Sequence, residues 1–244
     1  MTPHETDPSL HRTAALAGFM FLASLMVPAL NFLLVFSKFI AGDDAVAKGY
    51  SVVAHPFLFR VNVVNEIVTS VVIAGLALAL YAMLESVHRQ LALVALSLKL
   101  IEAALWAVIA LAHAAVQLVL GGRVSSMALQ PEQVQALVGL LLEAHAPVTA
   151  IPGVFLGLSS VVFLVLLVRS RYVPRALAAF GVLSYALVFA YDLILLVAPS
   201  FAAVIAVQVV GWGPSVLFEL AIGPWLLIKG ITVPQGVRPA RAPS

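Results

Sequence analysis

Apolar residues run along this chain in six long blocks, at about 13–36, 59–84, 91–120, 147–168, 174–197 and 203–228, separated by short polar segments. Each block is near or above the roughly 20 residues that an α-helix, rising about 1.5 Å per residue, needs to cross a hydrocarbon core of about 30 Å. The pattern predicts an all-α integral membrane protein, a bundle of about six transmembrane helices. These form a single domain over 13–230, flanked by tails at 1–12 and 231–244. The third block exceeds the length of a span and predicts a tilted or extended helix. After it, Gly121 and Gly122 mark a polar turn. Pro131 to Ala146 then reads as an amphipathic helix leading into the fourth span, with Pro147 and Pro152 expected to kink that junction. The one long connection, 37–58, reads as a loop.

Composition agrees with the blocks. Of 244 residues, 63% are hydrophobic and 10% charged, against roughly 25% charge in soluble domains. The mean hydropathy is +1.10. The absence of cysteine excludes disulfides and thiolate chemistry. The first apolar block is too long and too poorly terminated for a cleaved signal peptide and reads as the first span. Orientation follows from lysine and arginine, which cytoplasmic flanks retain. With the N-terminus inside, the inner side holds Arg12, Arg89, Arg169, Arg171, Arg175, Lys229, Arg238 and Arg241. The outer side holds Lys38, Lys48, Arg60 and Arg123. The bias places both termini in the cytoplasm and the 37–58 loop outside.

Polar residues recur at helical spacing inside five of the blocks, and in lipid such stripes must face protein or water. Span one presents Ser24, Pro28 and Asn31; span two Asn62, Asn65, Glu66 and Thr69; span three Lys99, Glu102, Trp106, His113 and Gln117. Span five has Tyr185 and Asp192, and span six Gln208, Trp212, Ser215 and Glu219. Counting along each helix puts Asn31, Asn62, Asn65, Glu66, His113, Glu143, His145 and Asp192 in the outer half, as candidate ligand-binding residues. Lys99, Glu102 and Glu219 lie deeper. Glu66, Glu102, Glu143, Asp192 and Glu219 confront Lys99 as the one cation at membrane depth. Protons or a bound cation must balance that excess.

Each residue also has a plainer explanation. Lys99 and Glu102, three apart on one helix, can neutralise each other. Glu66 can cap Arg60 or Asn31, His113 can be a hydrogen-bonded packing residue, and Asp192 can sit among headgroups. Trp212 and Trp225 suit packing or the interface. His113, Glu143 and His145 offer a metal-ligand set, yet residues two apart on a continuous helix point to opposite sides. Glu143 and His145 could ligate together only if the backbone breaks near Pro147. No Gly-rich phosphate loop, HExxH or nucleophile elbow is present. No basic and aromatic cluster suits nucleic acid. A retinal Schiff base on Lys99 is disfavoured by six spans and a third-span lysine.

Several segments, in order, carry a family resemblance: Arg12 followed by AALAGFMFL, LFRVNVVNEI, LALYAMLESVHRQLALVALSLKLIEAAL, LEAHAP, GVFLGLSS, RSRYVPRALAAFGVLSY and a final WLLIKG. The chain resembles the bacterial multi-pass membrane proteins grouped as domain of unknown function 4386. The resemblance implies about six helices in a bacterial cytoplasmic (inner) membrane, with no activity or cofactor attached. Matching positions include Glu102, Glu143, His145, Pro174, Arg175, Glu219 and Lys229. Ser159, Ser160 and Val161 depart from the aromatic and small-residue pattern expected in span four.

Three functions fit these features. The first is binding or transport of a small cationic or amphiphilic molecule, with Glu66, Asp192 and Glu143 as charge partners. The second is a structural or sensory membrane partner in which the polar stripes join helices. The third is an intramembrane enzyme acting on a lipid or isoprenoid, with Glu66 or Glu219 as acid and Glu102 or His113 as base.

Overall fold

A computed structural model describes residues 8–40, 45–120 and 130–231, and all the long elements in them are helical. Helix α1 (Pro8–Asn31) runs into a π-helical turn at Phe32–Phe36 and a short α2 (Ser37–Ile40). There follow α3 (Ala45–Ala54), α4 (Pro56–Leu120), α5 (Pro131–Glu143), α6 (His145–Ser170), α7 (Arg175–Val197), α8 (Pro199–Ala202) and α9 (Ile205–Ile228). Five helices among the described residues are long and apolar enough to cross a membrane. The proposed turn at Gly121 and Gly122, and the tails outside 8–231, lie outside the described residues.

Helix α4 is not one rod. His88 leaves the helical region with φ −163° and ψ 92°, and its Nδ1 accepts the backbone N–H of Leu91 at 3.3 Å. That is how an N-cap residue starts a new helix. Ser70 Oγ donates to the Ala103 carbonyl at 2.7 Å, which a straight helix of about 1.5 Å rise per residue forbids. The chain therefore doubles back at His88, and the limbs 56–87 and 89–120 match the second and third sequence blocks with a tighter turn than the blocks implied. Six apolar limbs result.

Packing closes the limbs into a ring in which α9 meets α1, α1 meets α4, α4 meets α6, α6 meets α7 and α7 returns to α9. Glycines set the closest approaches. A Cβ at Gly18 would stand 2.6 Å from the Gly223 carbonyl oxygen, so α1 and α9 touch backbone to backbone; small residues permit such contacts where lipid tails supply no hydrophobic drive. The outer surface is apolar in keeping with that solvent: Leu111 is 69% and Leu217 63% exposed. One core cluster joins Leu84, Tyr172, Phe218 and Ile231 at the end where the His88 turn lies. Ser86 Oγ and the Tyr172 hydroxyl are 3.4 Å apart there. The turn between α6 and α7 at that end places Arg171 at φ 58°, a left-handed cap to α6. Gly230, at φ +65°, ends α9 against His11. Residues 11 and 230 thus share one end of the bundle, as an even number of crossings requires.

At the opposite end the expected 37–58 loop is largely helical. α3 lies along α5, with Gly49 against the Gln135 backbone and Lys48 Nζ 3.0 Å from Glu143 Oε1. The amphipathic period of Pro131–Glu143 is explained by this pairing. Val52, Val138 and Leu142 join Phe36, Phe39, Phe59 and Val116 in a second core cluster. The break between α5 and α6 falls at Ala144, before the expected Pro147. Proline is tolerated in a helix's first turn, where its missing N–H has no intrahelical partner.

Candidate functional site in the bundle interior

Polar side chains converge on the bundle axis in two layers. In the first, near α3 and α5, Glu66 on the first limb of α4 faces His113 on the second. Its carboxylate accepts from His113 Nδ1 at 2.8 and 3.0 Å. Asn62 Nδ2, one turn away, donates to Glu66 Oε1 at 3.0 Å, and Asn31 Nδ2 donates to Asn62 Oδ1 at 2.7 Å. Asn62, Glu66 and His113 are buried. His145 completes the layer from the first position of α6. Its ring stacks on His113 with centroids 5.6 Å apart and planes at 19°, and Phe36 covers it at 4.2 Å.

The local sequence explains this arrangement. Pro28 lies inside α1, and the wide turn at Phe32–Phe36 begins four residues after it. π-Turns of this kind re-aim side chains; here the turn brings Phe36 over His145 while Phe32 and Phe36 remain on neighbouring positions of the helix. Asn65 Nδ2 donates to the Val27 carbonyl at 3.0 Å and fixes this part of α1 to α4. A cavity of about 150 Å³ beside the layer is bounded by Asn31, Asn62, Asn65, Glu66, Trp106 and His145.

The second layer surrounds a larger cavity of about 670 Å³. Every limb contributes to its wall: Ser24, Pro28 and Phe32 from α1 and its π-turn, Thr69 and Leu76 from the first α4 limb, Lys99, Glu102 and Trp106 from the second. Gly153 and Leu156 come from α6, Tyr185 and Asp192 from α7, Trp212 and Glu219 from α9. Lys99 Nζ lies 3.0 Å from Glu102 Oε2 and donates to Ser160 Oγ at 3.2 Å. The Tyr185 hydroxyl donates to Glu219. Asp192 is buried, with Oδ2 lacking a hydrogen-bond partner among the described residues. Trp106 and His145 line both cavities, so the layers adjoin.

Of the sequence candidates, Asn31, Asn62, Asn65, Glu66, His113 and His145 stand in the first layer, and Asp192, Glu102 and Glu219 in the second. Glu143 stands apart from all of them. The turn at Ala144 sends its carboxylate to Lys48 on α3, at the exposed edge of the bundle. Two contributors and one contact escaped sequence reasoning. Ser160 gave no sign of receiving Lys99, although its hydroxyl in an apolar span was visible. Phe36 was one aromatic among many. The Tyr185 to Glu219 contact joins residues 34 positions apart, and no local period encodes it.

No curated protein and no solved structure matches this chain. Residues 16–230 match the family described as Domain of unknown function (DUF4386). The match spans every apolar limb and both polar layers, and the chain is a multi-pass α-helical membrane protein belonging to the DUF4386 family.

Proposed function

We propose that this protein binds a small amphiphile with a cationic head group in the larger cavity, holding it within the bilayer or passing it across. The carrying observation is the composition of that cavity. It is about 670 Å³, its walls are mostly apolar, and three carboxylates, Glu102, Asp192 and Glu219, face it beside the single ammonium of Lys99. Ligand sites in membrane bundles have this character: a largely apolar pocket with a few placed polar groups. Lys99 and Ser160 already occupy Glu102's neighbourhood, and Tyr185 orients Glu219. The unpartnered oxygen of Asp192 is therefore the group on which a cation gains most, because a buried carboxylate without a partner is costly.

The supporting topology is a single six-span domain with both termini in the cytoplasm of a bacterial cell, following the lysine and arginine bias. The competing structural reading draws on the Lys99 to Ser160 and Tyr185 to Glu219 contacts, which join helices without any ligand.

Thermal unfolding of the purified protein in nanodiscs separates the two. Decyltrimethylammonium, below its micelle concentration, should raise the midpoint, and uncharged decanol at equal concentration should not. A ligand at a hundred times its Kd adds about 2.7 kcal/mol to stability. Asp192→Asn combined with Glu219→Gln should remove the difference between the probes. Equal responses to both probes in the wild-type protein would leave the structural reading standing.

A further inference from the structure

We infer that Glu66, His113 and His145 form a binding site for one divalent transition-metal ion of the zinc class, with a fourth coordination position open to the smaller cavity. Ligand atoms of the three side chains lie within 4.8 Å of one another. Two imidazoles and one carboxylate are a donor set suited to zinc and its neighbours, and three protein ligands plus an open position is the arrangement of zinc sites that hold water or substrate. Bonds of about 2.0–2.2 Å to a shared ion would draw these atoms inward, opening the present contact between Glu66 and His113.

A buried Glu66 to His113 hydrogen bond alone would be an ordinary packing device. Two further observations point to a ligand. His145 Nδ1 is buried and lacks a hydrogen-bond partner among the described residues, although it sits in the same layer as a carboxylate. Metal-ligating groups are also commonly oriented by outer hydrogen bonds, and Glu66 has such a chain: Asn62 donates to its Oε1, and Asn31 donates to Asn62. The roughly 150 Å³ cavity touching Glu66 and His145 has room for several waters at about 30 Å³ each. The ion would join three chain segments, since its ligands come from both α4 limbs and the first residue of α6.

This inference is independent of what fills the larger cavity. The test is a cobalt(II) titration of the full-length protein in nanodiscs, with any affinity tag removed and metal stripped beforehand. It is followed by the visible absorption of tetrahedral cobalt and by metal content per chain. The expected result is one ion per chain with a tetrahedral spectrum, displaced by zinc. His145→Ala and Glu66→Gln should each abolish that spectrum, and Asn62→Ala, which removes an outer hydrogen bond, should weaken binding by roughly 10- to 100-fold. Cobalt held adventitiously by the remaining histidines would survive these substitutions. A wild-type protein that takes up no cobalt, or binding unchanged in both His145→Ala and Glu66→Gln, overturns the inference. The wild-type titration decides even where a variant fails to fold.

Discussion

Gly153 on α6 lies directly beneath the carboxylate of Asp192 on α7, so that a Cβ at position 153 would occupy the space of the carboxylate oxygens. The absence of a side chain on one helix creates the seat for an acid on the next. Gly153→Ala should therefore displace Asp192 and weaken the stabilisation given by decyltrimethylammonium. Alanine is a better helix former than glycine by about 1 kcal/mol, so unliganded stability is the wrong readout. The ligand-induced shift in the unfolding midpoint is the right one, and an unaltered shift would separate Asp192 from binding.

Lys99 and Glu102 are both buried, 3.0 Å apart. Removing one partner leaves an uncompensated charge, which costs about 3–5 kcal/mol, whereas replacing both with apolar groups is often neutral. Lys99→Met should be severely destabilising in nanodisc unfolding, and Lys99→Met with Glu102→Leu should recover most of the loss. Additive losses in this double-mutant cycle would show that the two side chains act separately.

Tyr185→Phe deletes the donor to Glu219 but leaves the ring in its place beside Phe218. A buried acceptor without its partner costs about 1–3 kcal/mol. The variant should unfold at a lower temperature with unchanged helical circular dichroism. Removing both groups, as Tyr185→Phe with Glu219→Leu, should cost less than the sum of the single changes.

Gly18 and Gly213 form a matched contrast. A Cβ at Gly18 meets backbone of α9 at 2.6 Å, while one at Gly213 meets only a Val209 methyl at 3.8 Å. Gly18→Ala should push α1 from α9 and lower the yield of folded protein; Gly213→Ala should be neutral or gain up to about 1 kcal/mol through helix propensity. Size-exclusion profiles with thermal midpoints check both.

The fold was legible wherever the signal was a run of apolar residues. Length and composition place six limbs, because crossing lipid imposes a hydrophobic length that no side-chain detail can override. The 37–58 segment was misread as a loop because α3 needs α5 to bury its apolar face; neither Val52 nor Val138 announces its partner. Depth counting groups Asn31, Asn62, Glu66, His113 and His145, whose side chains the fold brings together, since rise per residue is fixed. It also groups Asp192 with them, which instead lines the larger cavity beside Glu102 and Glu219. It does not separate Glu143 from His145, two residues away, because the direction of a side chain at a helix junction depends on where the break falls. Ala144 carries no signature of a break, and Pro147, which does, lies inside the next helix.

Mechanically, the one-residue turn at His88 makes a single lever of the two α4 limbs. Consecutive Cα atoms are about 3.8 Å apart, so the limbs cannot slide past one another by as much as a helical turn without unwinding. Glu66 on one arm, and Lys99, Glu102 and His113 on the other, keep a constant relative height. Any rearrangement that exposes the larger cavity first to one face and then to the other must move the remaining wall helices, α1, α6, α7 or α9, relative to that hairpin as a unit.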